Sequence, residues 1–325
     1  MNEPTLRRAV AATLFAAMIA FVAIDPAHGE EGRGPRLVAM TFDDLPFAAA
    51  SESRKLEAVK ADRIIRRTLA RRGVPATGFV TEDNVRALGP DGAAILSGWL
   101  RDGLDLGNHG AVHADTNDLD MESIRQEILA GEKTLLSLAG TFGRPVTFYR
   151  FAYNHVGDTE ERRSQIEGLL AERGYRLAAS TIDTSDYLFD RAHQRAASDP
   201  AMRRRIERAY LDHSRKQIRY YQALNRLVLG REPPAIMLLH SNVLNAMTLD
   251  RLIAIFRAEG FRFVSLTQAQ EDKAYRTSPA FATRFGPMWG YRWARERGVR
   301  VDGNNEQEPP NWLSAYAETG VVADR

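Results

Sequence analysis

The chain has 325 residues, and its 44 Lys and Arg and 42 Asp and Glu leave a formal net charge of only +2. Nothing in this balance points to the concentrated basic patch that nucleic-acid binding usually needs, so no nucleic-acid partner is expected. The sequence contains no cysteine, which excludes a disulfide framework and a thiolate metal site. A hydrophobic fraction of 44% and a charged fraction of 26% are ordinary for one large α/β domain or two small ones.

The first predicted element is an export signal. Arg7 and Arg8 precede an apolar run over residues 9–24, which ends at Asp25 and is followed by small residues. This pattern is typical of a secretory signal peptide. The alternative is an uncleaved membrane anchor, although the run is short for a full span of about 20 residues. We expect residues 1–29 to be removed, leaving a periplasmic or extracellular protein with no stable membrane insertion.

From residue 36 onward, short apolar strands alternate with amphipathic helices. The predicted strands cover residues 38–42, 76–81, 104–108, 147–151, 176–181, 236–240 and 261–266. The predicted helices cover residues 53–72, 93–101, 121–138, 162–173 and 249–259. Repeated strand–helix units indicate a mostly parallel sheet with helices outside it. About seven strands favour an α/β fold that forms a distorted or incomplete (β/α) barrel.

Two segments do not fit this repeat. Between residues 190 and 234, apolar residues recur at helical spacing and predict one long helix. Its plain interpretation is a core-facing stripe, and the alternative is a wall of a substrate groove. Residues 272–325 predict an irregular tail packed on a main domain at residues 30–271. The three tryptophans of the tail either pack there or offer aromatic surfaces to a ligand; they are Trp289, Trp293 and Trp312.

Ionisable or polar residues follow nearly every predicted strand. In chain order these are Asp43, Asp44, His109, His113, Arg150, Tyr153, Asn154, His155, Asp183, Asp186 and His240. Reactive groups of α/β barrels collect where strands end, so these side chains are expected to lie together. Each signal is weak alone, because paired aspartates often cap helices and most histidine pairs at i and i+4 bind no metal. Their joint occurrence favours a catalytic site.

The residue types suit a hydrolytic metal site. Two imidazoles and one carboxylate provide three ligands and leave room for a water, as in catalytic zinc sites. A metal lowers the pKa of such a water, a second carboxylate can take its proton, and a histidine can protonate the leaving group. Because successive side chains alternate along a strand, Asp43 and Asp44 are expected to point in different directions, one to the metal and one to the water.

Five motifs then indicate a family. Thr-Phe-Asp-Asp, His-x-x-x-His, Arg-Phe-x-Tyr, Asp-x-x-Asp-Tyr and Leu-x-His occur in this order at the predicted strand ends. Over roughly residues 38–268 the chain therefore resembles the polysaccharide deacetylase family, which has the NodB homology domain. The resemblance implies a hydrolase that removes N- or O-acetyl groups from an acetylated glycan. The implied metal is Zn²⁺, with Co²⁺, Ni²⁺ or Mn²⁺ also compatible with these ligands. The polymer and the oligomeric state stay open.

The resemblance also implies a role for each site residue. These roles are Asp43 as base; Asp44, His109 and His113 as metal ligands; Arg150 as partner of the base; the Tyr153 backbone amide at the oxyanion; His240 as general acid; Asp183, or else Asp186, as the carboxylate that tunes it; and Leu238 at the acetyl methyl. His155 extends the third motif and is expected either to contact substrate or to support the fold.

Three positions depart from the family pattern. Leu45 replaces a common glycine and is expected to narrow the mouth near the metal, Gly110 replaces a hydroxyl residue, and Ala152 replaces proline. None removes a ligand or an acid–base group, so an active enzyme is expected. One alternative is a hydrolase of the same fold that cleaves a non-peptide C–N bond or an ester of a small molecule. Another is a non-catalytic glycan-binding protein, which would have lost one of these groups.

Overall fold

The structure is a computed structural model that describes residues 35–321. The expected signal segment, residues 1–29, lies outside the described residues. Within residues 35–321, every helix is too short or too polar to cross a bilayer.

Parallel strands and α-helices alternate along the described part of the chain. The strands are β1 (Arg36–Leu45), β2 (Ala76–Val80), β3 (Asp105–Asn108), β4 (Phe148–Tyr149), β5 (Arg176–Leu177), β6 (Ala235–His240) and β7 (Phe261–Phe263). The helices are α1 (Lys55–Arg72), α2 (Glu82–Leu88), α3 (Pro90–Arg101), α4 (Met121–Gly131), α5 (Lys133–Thr141), α6 (Glu160–Glu172), α7 (Asp186–Arg195), α8 (Pro200–Leu229), α9 (Val243–Ala258), α10 (Leu266–Gln270), α11 (Trp289–Glu296) and α12 (Asn311–Thr319).

These strands form one sheet in the order β5-β4-β3-β2-β1-β6, and β7 pairs with the first residues of β1. Every pairing is parallel. Beyond β5, Ile182 bridges to Met237 of β6, so the two sides of the sheet approach each other. The incomplete (β/α) barrel predicted from the sequence is confirmed.

Strand β1 carries Asp43 and Asp44, two of the candidate site residues, near its carboxyl end. Its residues from Val38 to Asp43 are buried on both faces, as in parallel sheets that are covered by helices on each side. It pairs with β2 on one edge and with β6 on the other, and this register places Asp43 opposite His240. Strand β1 therefore places Asp43 beside His240 at the end of β6.

The predicted helix over residues 121–138 is two helices, α4 and α5, which meet at Glu132. Gly131 at the end of α4 packs against the chain that follows β3. A Cβ on Gly131 would lie 2.5 Å from Asn108 Oδ1 and 2.8 Å from Gly110 Cα. The end of α4 therefore supports the loop that begins at Asn108. Helices α2 and α7 were not predicted, because each has too few turns to establish an apolar period.

The insertion and the tail are more ordered than the sequence indicated. Helix α8 buries Ile206, Tyr210 and Ile218, which confirms the predicted core stripe. The tail is not irregular throughout, since it contains α11 and α12. Trp289 and Trp293 are each only 3% exposed, so they pack in the core and offer no surface to a ligand.

Candidate active site

Asp44, His109 and His113 meet where β1 and β3 end. One ligand atom from each residue lies within 4.8 Å of the others. Asp44 Oδ1 is 3.7 Å from Nε2 of His109 and 3.7 Å from Nε2 of His113. A carboxylate and two imidazole nitrogens that converge on one point suit a divalent metal ion such as zinc.

The local backbone, and not strand alternation, places the two aspartates. Asp44 has a left-handed conformation with φ 63°, and the pairing of β1 with β2 shifts register between Phe42 and Leu45. As a result both carboxylates approach His109, whose Nε2 is 3.8 Å from Asp43 Oδ2. Simple strand alternation does not describe this pair, because the irregularity in the strand lets both carboxylates face His109.

A loop, and not a helical turn, carries the two histidines. Gly110 and His113 have φ values of 89° and 59° in the segment that follows β3. Glu127 on α4 accepts hydrogen bonds from Val112 N at 2.8 Å and Ala114 N at 3.3 Å. A Cβ on Gly110 would lie 2.7 Å from Glu127 Oε1, so the hydroxyl residue common in the family has no room here.

Both histidines have surroundings that suit metal binding. His109 Nδ1 lies 2.7 Å from Arg150 O, which fixes the ring and leaves Nε2 to face Asp44. Burial, and then the neighbouring His109, lower the pKa of His113. His113 is therefore held neutral, and the neutral imidazole is the form that binds metals.

A buried ion pair fixes Asp43. Arg150 donates from Nη1 to Asp43 Oδ1 at 2.6 Å and to Thr41 Oγ1 at 2.8 Å, and from Nη2 to Ala179 O at 2.9 Å. Asp43 is 3% exposed and Arg150 is 1% exposed. The pair holds one carboxylate oxygen, which leaves the other facing His109.

The carboxylate that contacts His240 is Asp186. Asp186 Oδ1 is 2.7 Å from His240 Nδ1, and Asp186 Oδ2 accepts from His240 N at 2.8 Å. The choice of Asp183 is corrected, because that carboxylate turns back to accept from Ser185 N at 2.9 Å. Sequence spacing alone could not decide which of Asp183 and Asp186 contacts His240. The two aspartates flank one turn, and only the geometry of that turn selects between them.

This pairing determines the charge of His240. Partial burial opposes its protonation, but Asp186 outweighs burial, with help from Asp44 and Asp43, and raises the pKa of His240 to about 10. Burial likewise opposes the charge on Asp186, yet His240 and Asn245 keep the pKa of Asp186 below its ordinary value. His240 is therefore protonated at neutral pH. By contrast, burial raises the pKa of Asp183 to about 6.

A cavity of about 610 Å³ joins these groups. The sequence-predicted residues on its wall are Asp43, Asp44, His109, His113, Tyr153, Asn154, Asp183, Leu238 and His240. The cavity residues that the sequence did not indicate are Ala48, Ala49, Arg54, Tyr187, Asp190, Arg191, Gln194, Asn242, Gly286 and Met288. They come from α7, from the tail and from loops, where no repeated spacing marks a functional residue.

Three expectations about the cavity need revision. Leu45 does not narrow its mouth, because that side chain is fully buried and packs against Gly78. The long helix α8 does not line the cavity. Helix α7 lines it instead, and α8 packs behind α7 on the core side. His155 lies outside the cavity wall, and its Nδ1 is 2.7 Å from Asp115 Oδ1. Its ring centre is 5.5 Å from that of Tyr153, so it supports the loop behind Tyr153.

Comparison with known proteins shows a likeness to one family. Residues 30–178 match the family model described as polysaccharide deacetylase. This part of the chain is similar to that family. This matched region contains Asp43, Asp44, His109, His113 and Arg150. Asp186, Leu238 and His240 lie beyond it. The fold places Leu238 and His240 in the wall of the same cavity, and Asp186 contacts His240.

Two curated relatives show the same likeness. The chain is 31% identical over 159 residues to a chitin deacetylase from Pestalotiopsis sp, and the match covers 48% of this chain and 45% of the relative. It is 27% identical over 131 residues to a bifunctional xylanase/deacetylase from Pseudobutyrivibrio xylanivorans, which covers 40% of this chain and 19% of the relative. The matched regions thus span less than half the length of these relatives.

A solved structure has a similar fold. A mutant, with restored enzymatic activity, of a CE4 family pseudoenzyme gives a TM-score of 0.51 at 16% identity, covering 73% of this chain and 68% of that chain. The unaltered pseudoenzyme is from Bacillus anthracis. At this identity the likeness concerns the fold alone.

Proposed function

We propose that this protein is a metal-dependent hydrolase that removes acetyl groups from a glycan. The observation that carries the proposal is the meeting of three groups at one cavity. These are the cluster of Asp44, His109 and His113, the ion pair of Asp43 with Arg150, and the hydrogen-bonded pair of Asp186 with His240. Together they supply metal ligands, a base and an acid, which hydrolysis of an acetyl group requires.

Asp44, His109 and His113 would hold the metal. The donor set fits Zn²⁺, and Co²⁺, Ni²⁺ or Mn²⁺ also accept two imidazoles and a carboxylate. A divalent ion bound there supplies Lewis acidity, which activates a water and polarises the acetyl carbonyl.

Asp43 would act as the base. Its carboxylate is held by Arg150 through one oxygen, and the second oxygen faces the metal ligand His109 at 3.8 Å. An attacking water in this region lies within reach of that free oxygen, which can take the water's proton. Arg150 keeps the carboxylate oriented, so no reorientation is needed when the proton moves.

His240 would act as the acid. It faces Asp43 across the β1–β6 pair and is protonated at neutral pH because of Asp186. A protonated imidazole on this side of the cavity can donate to the nitrogen or oxygen of the sugar that leaves. The base on β1 and the acid on β6 would thus act on opposite sides of the acetyl group.

Tyr153 and Leu238 would complete the acetyl pocket. Both line the cavity, and the Tyr153 ring centre is 4.9 Å from that of His113. The Tyr153 backbone amide would donate to the oxyanion that forms during attack. Leu238, which is 6% exposed, would contact the acetyl methyl group.

An acetylated glycan is the substrate class that the relatives favour, since their names refer to chitin and xylan as well as deacetylation. The export signal predicted from the sequence also supports it, because peptidoglycan, chitin oligosaccharides and acetylated xylan lie outside the cytoplasm. The decisive experiment is acetate release from these three substrates by the chain from Glu30 onward, with chelator and with added zinc. Metal-dependent release from any of them supports the proposal. No release from metal-loaded protein would favour cleavage of a small amide or ester instead.

Metal binding has its own test. Replacing His113 with alanine removes one of three ligands, so the purified variant should contain much less metal by elemental analysis. His155→Ala is the matched control, because that histidine lies near Tyr153 but outside the cavity wall. Full metal occupancy in the His113 variant would argue against ligation by that residue.

The pH dependence of kcat can separate the roles of Asp183 and Asp186. Asp186→Asn removes the charge that raises the pKa of His240, so we expect the alkaline limb of kcat to move about 1–3 pH units lower. The sign follows because His240 must be protonated and loses its proton as pH rises. A divalent cation held by Asp44, His109 and His113 would also disfavour the protonated imidazole, so we expect the wild-type limb below pH 10. Asp183→Asn is the control, and an equal shift in both variants would contradict the assignment.

A further inference from the structure

The tail contains a buried arginine that has no carboxylate partner among residues 35–321. Arg292 in α11 is 0% exposed, and its Nη2 donates to the main-chain carbonyl of Asn154 at 2.9 Å. The guanidinium also donates, at 3.2–3.4 Å, to the main-chain carbonyls of Phe281, Phe285 and Pro287. Burial lowers the pKa of Arg292 to about 10, so the side chain is still charged at neutral pH. A buried charge is costly unless it is well hydrogen-bonded, and here carbonyl groups provide those bonds.

The bond to Asn154 reaches the turn that carries Tyr153. Tyr153 and Asn154 both have left-handed backbone conformations, with φ values of 57° and 55°. Residues with side chains adopt two such conformations in succession only when the surroundings support them. The conformation of this turn sets the position of Tyr153 in the cavity, beside His113.

The strap, defined as residues 281–288, lies directly on this turn. Gly286 approaches so closely that a Cβ there would lie 1.6 Å from Tyr153 O. Thr283 N donates to Gly157 O at 3.1 Å, which fixes the strap at the other end of the loop. Arg292 binds three carbonyls of the strap together with Asn154 O, so its guanidinium joins the strap to the turn.

We propose that Arg292 is a positioning residue for deacetylation, which acts by holding the strap against the Tyr153–Asn154 turn. The inference rests on the proposed function, because it makes a C-terminal side chain responsible for the placement of the Tyr153 amide. Arg292 does not touch the metal cluster, so it affects turnover and not metal content. The C-terminal tail is then part of the working active site.

The test compares Arg292→Ala and Arg292→Lys with Arg297→Ala, an exposed arginine just after the same helix. Removing the guanidinium should lower kcat by about 10–100-fold while metal content stays at the wild-type value, because a misplaced group slows the reaction without affecting binding elsewhere. Lysine should not restore kcat, since one ammonium cannot reach the same set of carbonyls. Free guanidinium ion, below denaturing concentration, should restore part of the activity of Arg292→Ala only.

Hydrogen exchange gives a readout that does not depend on activity. Amides of residues 153–157 should exchange faster in Arg292→Ala, while those of residues 109–114 keep their wild-type protection. Unchanged exchange at residues 153–157, or a loss of kcat that guanidinium fails to restore and that follows the unfolded fraction, overturns the proposal. If the wild-type chain releases no acetate while exchange at 153–157 rises as expected, the positioning of the turn is supported and the proposed reaction is refuted.

Discussion

Replacing Asp43 with asparagine should lower kcat for acetate release by about 10²–10⁴-fold, the usual contribution of a general base. Asparagine keeps the size of the side chain and can still accept a hydrogen bond from Arg150, but it cannot take a proton from water. The proposed metal ligands Asp44, His109 and His113 are unchanged, so elemental analysis should show wild-type metal content. Turnover close to that of the wild type would contradict the role of Asp43 as base.

A stability control is needed for this variant. Arg150 is buried, and removing its charged partner can cost up to about 3–5 kcal/mol of folding free energy. Asp105→Asn is the matched control, because Asp105 pairs with Arg144 at 2.6 Å on the surface, where its side chain is 40% exposed. Thermal unfolding of both variants separates a loss of fold from a loss of chemistry.

Replacing His240 with alanine should affect amides and activated esters to different extents. For an N-acetyl sugar the leaving amine needs a proton, so kcat should fall by about 10²–10⁴-fold. For an aryl acetate the leaving group is stable without a proton, and the loss should be no more than about tenfold. The measurement is kcat of both enzymes on both substrates at one pH.

The ratio of these two losses is the informative quantity. A general structural defect, or loss of metal, would reduce both reactions alike, and equal losses would therefore remove the acid assignment. Tyr187→Phe is a suitable control, because the Tyr187 ring lies 6.4 Å from that of His240 and the change removes only a hydroxyl.

The sequence predicted the sheet and the cluster of Asp44, His109 and His113 because both depend on local patterns. Apolar runs in a repeated strand–helix order determine a parallel barrel, and the ends of such strands must meet. Asp44, His109 and His113 could be identified for this reason. The backbone conformations that bring them together could not be predicted. Left-handed backbone at Asp44 and His113 is set by contacts from α2 and α4, which no spacing rule reveals.

The other residues around the site could not be predicted from the sequence, because their positions depend on long-range packing. Tyr187 and Gln194 lie on a helix too short to be predicted, and Gly286 and Arg292 lie in a tail with little apolar period. The choice between Asp183 and Asp186 depended on one turn at Ser185. The expectation for Leu45 failed because a residue at the end of a strand can point into the core as readily as toward a ligand.

The pairing of β1 with β6 has a consequence for which changes in length the protein tolerates. Asp43 lies opposite His240, and Ser241 N donates to Asp43 O at 2.9 Å, so the register of the two strands sets the separation of the proposed base and acid. Deleting or inserting one residue within β1 would send Asp43 to the other face of the sheet. Variation in length among relatives should therefore be confined to connections such as that between α7 and α8, while the strands that carry Asp43 and His240 keep a constant residue count.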